Sequence, residues 1–270
     1  MSRRTPLWST PDFGAYRFDH APDEHDHGGV DEIGERYSAS FVEHGGFDVD
    51  IDGRHWRLEP GDVLLVSPGL RFRVSHPDGD LSDVCLTIAY TADAIDGLDR
   101  SEAWKRASAP VLRADNRLRY LHWGLRRAFD RDAPLLAETC AVDVFREVPL
   151  TRENASVQKP RGFERHAERI HAVRECIERR YAEDWRLHTL ASLAHMSTFH
   201  FARLFAEFVG RSPHRYLTET RLSAAAAMLR DGRGATDACY ACGFGDPSHF
   251  SRAFAQRYGR APSVYAHDPH

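Results

Sequence analysis

The feature of this chain that most constrains its fold is a repeat in its last quarter. The segment STFHFARLFAEFVGRSPHRYL (197–217) aligns without gaps with DPSHFSRAFAQRYGRAPSVYA (246–266), at an offset of 49 residues and with nine identities. Self-similarity at a fixed offset indicates that one structural unit is used twice. The identical pairs are His200/His249, Phe201/Phe250, Arg203/Arg252, Phe205/Phe254, Ala206/Ala255, Gly210/Gly259, Arg211/Arg260, Pro213/Pro262 and Tyr216/Tyr265.

Each copy carries the residues that begin and end a helix. Asp246 is a favourable N-cap, and Pro247 suits the first helical position because an N–H is not needed there. Ser197 takes the capping place in the first copy. Gly210 and Gly259 follow at the other end, where glycine readily adopts the left-handed conformation that closes a helix. The repeat therefore predicts one helix in each copy.

Two phenylalanines four residues apart give each predicted helix a buried stripe. Burial of this stripe turns the opposite side of each helix toward the outside. The outward residues are Phe199, Ala202 and Arg203 in the first copy and Ser248, Ser251 and Arg252 in the second.

A shorter predicted helix precedes each of these, as LHTLASLA before His195 and as ATDACYAC before Gly243. A short helix, a tight turn and a second helix with a polar outer face form a helix-turn-helix, whose second helix fits the DNA major groove. A plain helical bundle made of two similar hairpins is the alternative. A helix from about residue 213 to 230 is predicted to join the two units. Second helices about 34 Å apart would then enter successive major grooves.

These motifs resemble those of a known family. Residues 163–267 are similar to the DNA-binding domain of the AraC/XylS family of bacterial transcription regulators. The most specific stretch is ACGFGDPSHFSRAFAQRYGRAPSVY, which follows the family pattern A-C-G-F, then S-x-F-S-R-x-F, then G-x-x-P-x-x-Y. The resemblance implies that bases are read by Phe199, Ala202 and Arg203 in the first unit and by Ser248, His249, Ser251 and Arg252 in the second.

Arginine at matching positions of the two units indicates how bases would be read. Arg203 and Arg252 are the candidates for a bidentate grip on guanine, each worth about 1–3 kcal/mol of discrimination. Ala202 offers no hydrogen bond, so the first unit is expected to read bases through Arg203 and through apolar contact from Phe199. Ser248 and Ser251 suit a phosphate or a base edge, with helix capping as the alternative for Ser248.

Two further pairs recur in the repeat without a settled role. For His200 and His249, contact with DNA and packing against their own unit are both open. Arg211 and Arg260 come directly after the closing glycines, where phosphate contact and capping of helix carbonyls both suit an arginine. All four residues are included among the candidate DNA-binding residues.

The charge distribution agrees with a nucleic-acid partner without proving one. The chain has a net charge of −4, but residues 161–270 contain 16 Arg, no Lys and 12 acidic residues, a net of +4 that leaves −8 on the rest. Arginine presents a planar fork that matches phosphate and guanine edges. An ordinary solvated helical surface is the alternative explanation.

The N-terminal part has a different pattern. Apolar and polar residues alternate from about residue 36 to 89, in short runs separated by turns rich in glycine and proline. This pattern predicts a small antiparallel barrel or sandwich. The family resemblance, which is weaker here, implies a cupin-like barrel that binds a small effector. The overall prediction is an α+β chain with this antiparallel β-barrel at residues 1–100.

Helical periodicity follows the barrel. Leu118, Leu121, Leu125 and Phe129 form one apolar stripe, and a second runs from Leu135 to Phe145. These two helices, within residues 101–150, are predicted to serve self-association, which would make the protein a homodimer; burial against the chain's own barrel is the alternative. Polar, unpatterned residues 151–162 are predicted to be a linker, and residues 163–270 the all-α domain with both helix-turn-helix units.

One N-terminal motif resembles a metal site. His25, His27 and Glu32 follow the spacing of the first metal motif of cupins, in which imidazoles and a carboxylate hold a divalent ion. A cupin enzyme needs another histidine after the second motif, and Phe72 occupies that position; His76 lies nearby but out of register. We therefore predict no cofactor and no enzyme activity, with these residues at the effector pocket. A metal-dependent cupin oxygenase with a helical appendage is the alternative.

The function predicted from the sequence is a transcription regulator that binds double-stranded DNA and responds to a small molecule. RNA polymerase is a further expected partner if the regulator is an activator. Five scattered cysteines, no long apolar run and no secretory signal favour a cytoplasmic protein with no membrane partner. A module whose repeats bind another protein is the remaining alternative.

Overall fold

The computed structural model describes residues 2–20, 29–76, 83–91, 94, 110–131, 133–147 and 162–267. The chain divides into two compact units, Met1–Lys159 and Pro160–His270. The first combines antiparallel strands with two helices, and the second is helical, so the chain is α+β. Within the described ranges, no helix is long and apolar enough to cross a membrane.

The strands of the first unit form two antiparallel sheets. They are β1 (Ser2–Ser9), β2 (Phe13–His20), β3 (Val30–Ile33), β4 (Tyr37–His44), β5 (Phe47–Ile51), β6 (Arg54–Leu58), β7 (Val63–Val66), β8 (Arg71–Ser75), β9 (Asp83–Tyr90) and β10 (Val111–Leu112). One sheet has the order β1-β2-β9-β4-β7-β10 and the other β3-β8-β5-β6. The sequence pattern predicted a small antiparallel barrel or sandwich, and hydrogen bonding among the described strands gives two antiparallel sheets. β10 also carries the sheet past residue 100.

Two helices cover one face of the six-stranded sheet. Helix α1 (Asn116–Asp130) begins at Asp115, whose carboxylate accepts a hydrogen bond from the Leu118 amide at 2.7 Å. Helix α2 (Pro134–Glu147) follows. The Tyr90 hydroxyl donates a 2.8 Å hydrogen bond to the Ala141 carbonyl, which ties the sheet to α2.

The apolar stripes of α1 and α2 are buried in this contact. Leu118, Leu125 and Phe145 are each 0% exposed, and they pack with Phe41 and Ile88 of the sheet. The stripe that suggested self-association is therefore part of the unit's own core. It is not available to a second copy unless that core opens.

The second unit consists of helices of the two repeats and the helices around them. They are α3 (Phe163–Arg179), α4 (Leu187–Leu193), α5 (Thr198–Val209), α6 (Pro213–Arg230), α7 (Ala235–Ala241), α8 (Pro247–Tyr258) and α9 (Pro262–His267). α4 with α5, and α7 with α8, are the two helix-turn-helix units, and α6 joins them over the range that the sequence predicted.

The helix ends follow the capping chemistry of the sequence. The Ser197 hydroxyl accepts a hydrogen bond from the His200 amide at the start of α5, and the Asp246 carboxylate accepts one from the Ser248 amide, at 2.8 Å, at the start of α8. Gly210 and Gly259 close the two helices with left-handed φ values of 76° and 75°. Each helix therefore begins at a side-chain N-cap and ends at a left-handed glycine.

The turns inside the two units differ by one residue. α4 and α7 both have seven residues and lie 48 positions apart, whereas α5 and α8 lie 49 apart. The chain passes through the left-handed region at His195 (φ 52°) in the first turn and at Gly243 (φ 80°) in the second. The second turn then has an extra residue before its N-cap. The two units are therefore similar without being identical.

Gly243 is a position where glycine is required. A Cβ atom there would lie 2.4 Å from the Ala182 carbonyl oxygen, and φ is in the left-handed region. We expect Gly243→Ala to lower the free energy of unfolding by about 2–4 kcal/mol, since steric overlap adds to the backbone cost of about 1–2 kcal/mol. Urea unfolding followed by circular dichroism measures this change.

Gly245→Ala is the matched control for that experiment. Gly245 lies two residues away, outside the left-handed region, and a Cβ atom there would meet nothing within 4 Å. Its substitution is expected to change stability by less than about 0.5 kcal/mol, as at an ordinary surface position. Equal losses for the two variants would show that the close approach at Gly243 does not limit stability.

Candidate nucleic-acid interface

Helices α5 and α8 each have one buried and one exposed face. Phe201 and Phe205 are 0% exposed, and Phe250 and Phe254 are 1% and 0% exposed. The rings within each pair pack 5.5 Å and 5.6 Å apart. Because these pairs hold one side of each helix in the core, Arg203 and Arg252 on the opposite side are exposed, as the sequence predicted.

Phe199 is the most unusual residue of the exposed face. Its side chain is 83% exposed in the first turn of α5. The free energy falls when a partner covers a large apolar side chain, so Phe199 is a candidate contact residue. Ala202, one turn further along, is only half-buried and small. This part of α5 suits apolar contact, for instance with a thymine methyl group.

Arg203 and Arg252 occupy equivalent positions of α5 and α8 and are both exposed. Within the described part of the chain, neither guanidinium has a hydrogen bond or an ion pair. A guanidinium with all its N–H groups in solvent can bind a guanine edge bidentately without first breaking a protein contact. These two residues are therefore the best placed of the candidate base-reading side chains.

The serine residues of α8 are similarly open. Ser248, Ser251 and His249 are all exposed. The N-cap is the Asp246 carboxylate, which accepts from the Ser248 backbone amide, so the Ser248 hydroxyl is not the cap. Both hydroxyls face the solvent beside Arg252. The capping role considered for Ser248 is therefore not observed.

The recurring histidines have different surroundings. His200 is half-buried and its ring packs edge-on against His166 of α3, with centroids 5.5 Å apart. Burial lowers the pKa of His166, and the charge of the neighbouring Arg165 adds to this effect. His249 is exposed, with its ring 6.1 Å from that of Phe244. Packing thus accounts for His200, while His249 is open to a partner.

The arginines after the closing glycines are engaged within the protein. Arg211 forms an ion pair with Glu219 of α6, and the Arg260 guanidinium lies 5.0 Å from the centroid of the Tyr265 ring. Both differ in this way from Arg203 and Arg252, because they already contact other residues of their own unit.

A second candidate site lies between the two sheets of the first unit. It is a cavity of about 600 Å³. Its depth comes from small residues on the two central strands, including Ser38, Ser40, Thr87 and Ala89, on the face opposite to the helices. The walls are aromatic and aliphatic: Tyr16, Phe18, Phe47, Leu64, Val66, Phe72 and Val74. A volume of this size suits a small organic ligand.

Two hydrogen-bonded pairs lie within this cavity. The Ser40 and Thr87 hydroxyls are 2.8 Å apart. The buried His76 Nε2 lies 2.7 Å from Asp83 Oδ1, and the His20 ring stacks on His76 with centroids 4.4 Å apart. Sequence analysis rejected His76 on register and did not identify His20 or Asp83. In the sequence, the only signal for these three residues is that polar residues occupy alternate positions of the predicted strands.

The metal motif predicted from the sequence is only partly placed. Glu32 on β3 and the buried Phe72 on β8 line the cavity, whereas His25 and His27 lie outside the described residues. In the ranges that are described, no three His, Cys, Asp or Glu side chains are arranged to hold a metal ion.

Comparisons with known proteins cover most of the chain. A family model described as "Helix-turn-helix domain" matches residues 190–268. The "HTH-type transcriptional activator RhaS" of Enterobacter sp. (strain 638) is 32% identical over 238 residues, which cover 82% of this chain and 82% of that protein. The "RCS-specific HTH-type transcriptional activator RclR" of Escherichia coli (strain K12) is 26% identical over 229 residues, covering 79% of this chain and 78% of that protein.

A solved structure with a similar domain is that of "a probable AraC family transcriptional regulator from Rhodopseudomonas palustris CGA009". It is 27% identical and covers 37% of this chain and 95% of its own, with a TM-score of 0.35. The similarity to RhaS extends over most of both proteins, well beyond the helix-turn-helix region. Together with the duplicated helix-turn-helix, it shows that this chain belongs to the AraC/XylS family of DNA-binding transcription regulators.

Proposed function

We propose that the chain binds double-stranded DNA with α5 and α8 in two successive major grooves. The observation that carries this proposal is the equivalent placement of Arg203 and Arg252, exposed and without protein partners among the described residues. The 18 residues of α6 span about 27 Å at 1.5 Å per residue, which is compatible with units about one DNA turn apart.

The two helices would read different chemistry. Phe199 and Ala202 supply an apolar surface beside Arg203, whereas Ser248 and Ser251 supply hydroxyls beside Arg252. Guanine contact is assigned to both arginines, with thymine methyl contact on the first side and hydrogen bonds to a base edge or phosphate on the second. His249 is a further contact candidate, while His200, Arg211 and Arg260 support the fold of their units.

A small-molecule effector would bind in the cavity between the two sheets, in a cupin-like N-terminal domain. Supporting this is the opposite orientation of neighbouring residues on the central strands. Ser40 and Thr87 face the cavity, whereas Phe41 and Ile88 on the same strands pack in the core with α1 and α2. A ligand that shifts these strands would shift the helices behind them, which provides the differential contact that allostery requires. Glu32 and Phe72 would contact the ligand from the other sheet.

The remaining partners are proposed on other grounds. RhaS and RclR are named as activators, and we infer the same for this chain, with RNA polymerase as the partner at the promoter in the cytoplasm. Homodimerisation is proposed through a surface other than the apolar stripes of α1 and α2, because those are buried. A metal-dependent oxygenase is not favoured, since Phe72 stands where such an enzyme needs a histidine.

Replacing Arg252 tests the assignment of base reading. Duplexes bound by the full chain are first selected from a random library. Arg252→Ala should then lose about 1–3 kcal/mol of discrimination between selected and scrambled duplexes, with much less loss on scrambled DNA. Titration of fluorescent duplexes measures both. Arg230→Ala, an exposed arginine at the end of α6, removes the same charge and should keep the discrimination. Equal losses on all duplexes would assign Arg252 to phosphate.

Salt dependence separates DNA binding from a protein-interaction role. A protein that neutralises six to ten phosphates loses about 10³–10⁵ in affinity between 50 and 200 mM salt. We expect the affinity for the selected duplex to fall within about this range when measured by fluorescence anisotropy. An affinity that does not change with salt, or no binding, would favour the repeats as a module for another protein.

Filling the cavity tests effector binding. Ala89 is a small residue of the cavity floor, and Ala89→Phe would occupy space that a ligand needs. In a thermal-shift screen of metabolites, compounds that stabilise the wild type by about 2.7 kcal/mol at 100 times their Kd should have no effect on this variant. Ser9→Phe adds the same ring at an exposed position and should respond like the wild type. Ligands that stabilise both variants equally would bind elsewhere.

A further inference from the structure

Helix α6 packs against both helix-turn-helix units. In its first half, the Tyr216 ring packs edge-on against Phe205 of α5, with centroids 5.6 Å apart. In its second half, Leu222 and Leu229 belong to the core that contains Phe250 and Phe254 of α8. The point where α6 passes from one unit to the other therefore lies between residues 217 and 222. Glu219 lies in this interval.

Three arginines converge on the Glu219 carboxylate. Arg211, directly after the C-cap of α5, pairs with Oε2. Arg215, one turn earlier on α6, donates from Nε to Oε1 at 2.9 Å. Arg257, in the last turn of α8, brings Nη1 to 3.9 Å from Oε2 and donates from Nη2 to the Ser223 hydroxyl of α6 at 3.2 Å. The Glu219 carboxylate thus connects the end of α5, helix α6 and the end of α8.

The electrostatics favour a stable contact. The Glu219 side chain is only 18% exposed, and burial by itself would raise the pKa of this carboxyl. The hydrogen bonds from Arg215 and Arg211 and the charges of Arg211 and Arg257 outweigh burial and lower the pKa. The carboxylate is therefore ionised at neutral pH. Three cations around one anion also leave a local excess of positive charge.

We propose that Glu219 is a positioning residue that sets the distance and angle between α5 and α8. It thereby sets the spacing that the chain accepts between its two DNA boxes, which are the base sequences bound by α5 and by α8. This inference rests on the proposed binding to two successive major grooves. Glu219 acts through Arg211 and Arg257 and does not itself touch DNA. Apolar packing holds α6 on each unit separately, whereas this ion cluster spans both.

Loss of the carboxylate has a second consequence. Without Glu219, the three guanidinium groups gain freedom to bind DNA phosphates, which all sequences share. Glu219→Gln is therefore expected to raise affinity for scrambled DNA and to steepen its salt dependence, while affinity for the selected operator falls. A merely structural role would lower both affinities together.

The experiment uses the full chain and a duplex selected from a random library. The interval between the two boxes is lengthened or shortened by one base pair, and the affinity for each duplex is measured for the wild type and Glu219→Gln. We expect the preference of the wild type for its own spacing to fall about tenfold in the variant, equivalent to about 1.4 kcal/mol. Such a value is within the range of coupling energies in ion-pair networks.

Two further variants make the test specific. Glu183→Gln removes the same charge from an exposed pair with Arg180 that connects no units, and it should keep the spacing preference. Arg257→Gln removes only the side chain that α8 contributes to the cluster around Glu219, and it should weaken the spacing preference as Glu219→Gln does. The double variant should be no worse than either single variant, because the same contact is lost. Arg257→Gln also keeps the test decisive if Glu219→Gln does not fold.

The outcomes distinguish this inference from the proposed function. Selection of two boxes about one turn apart, with unchanged spacing preference in both Glu219→Gln and Arg257→Gln, would overturn the role of Glu219 alone. Selection of a single box would overturn the two-groove binding and the inference with it. A weakened spacing preference in Glu183→Gln as well would mean that the loss of one negative charge causes the effect. This result would also refute the positioning role of Glu219.

Discussion

The DNA-binding unit depends on the burial of two phenylalanine pairs. Phe201 with Phe205, and Phe250 with Phe254, fix the rotation of α5 and α8 about their own axes. Once these four rings are buried, Arg203 and Arg252, on the opposite side of their helices, face solvent. The exposure of Arg203 and Arg252, on which their proposed base reading depends, is therefore a consequence of core packing. A change to any of these rings would disturb the outer face even though the rings themselves are buried.

In the first unit, by contrast, side chains do not fill the space between the two sheets. Large apolar residues fill one face of the six-stranded sheet, under α1 and α2. On the other face, serine, threonine and alanine occupy the central strands, where valine or leucine would pack more tightly. Such a cavity forgoes the stabilisation that tight packing would supply. A ligand that completes the packing recovers part of this stabilisation, which is how binding energy becomes available for a conformational response.

The sequence predicted most of what local chemistry determines. Capping by Ser197 and Asp246, the glycine ends of the helices, the extent of α6 and the outward residues all follow from rules that act within a few positions. The sequence did not predict contacts between distant residues, such as the cluster around Glu219 and the pair of His76 with Asp83, and it did not decide between a barrel and a sandwich. The gap-free alignment of the two repeats begins after the turn of each unit. It therefore could not show that the second turn is one residue longer than the first. The self-association proposed for α1 and α2 was based on amphipathic faces, which cannot indicate what covers them.

The additional residue in the second turn makes the duplication imperfect in a useful way. Here the first hairpin is shorter and presents phenyl and methyl groups, whereas the second is longer and presents hydroxyls. In the proposed DNA complex the two ends of a single chain would therefore contact different chemical groups, which would give the chain a defined direction along its site.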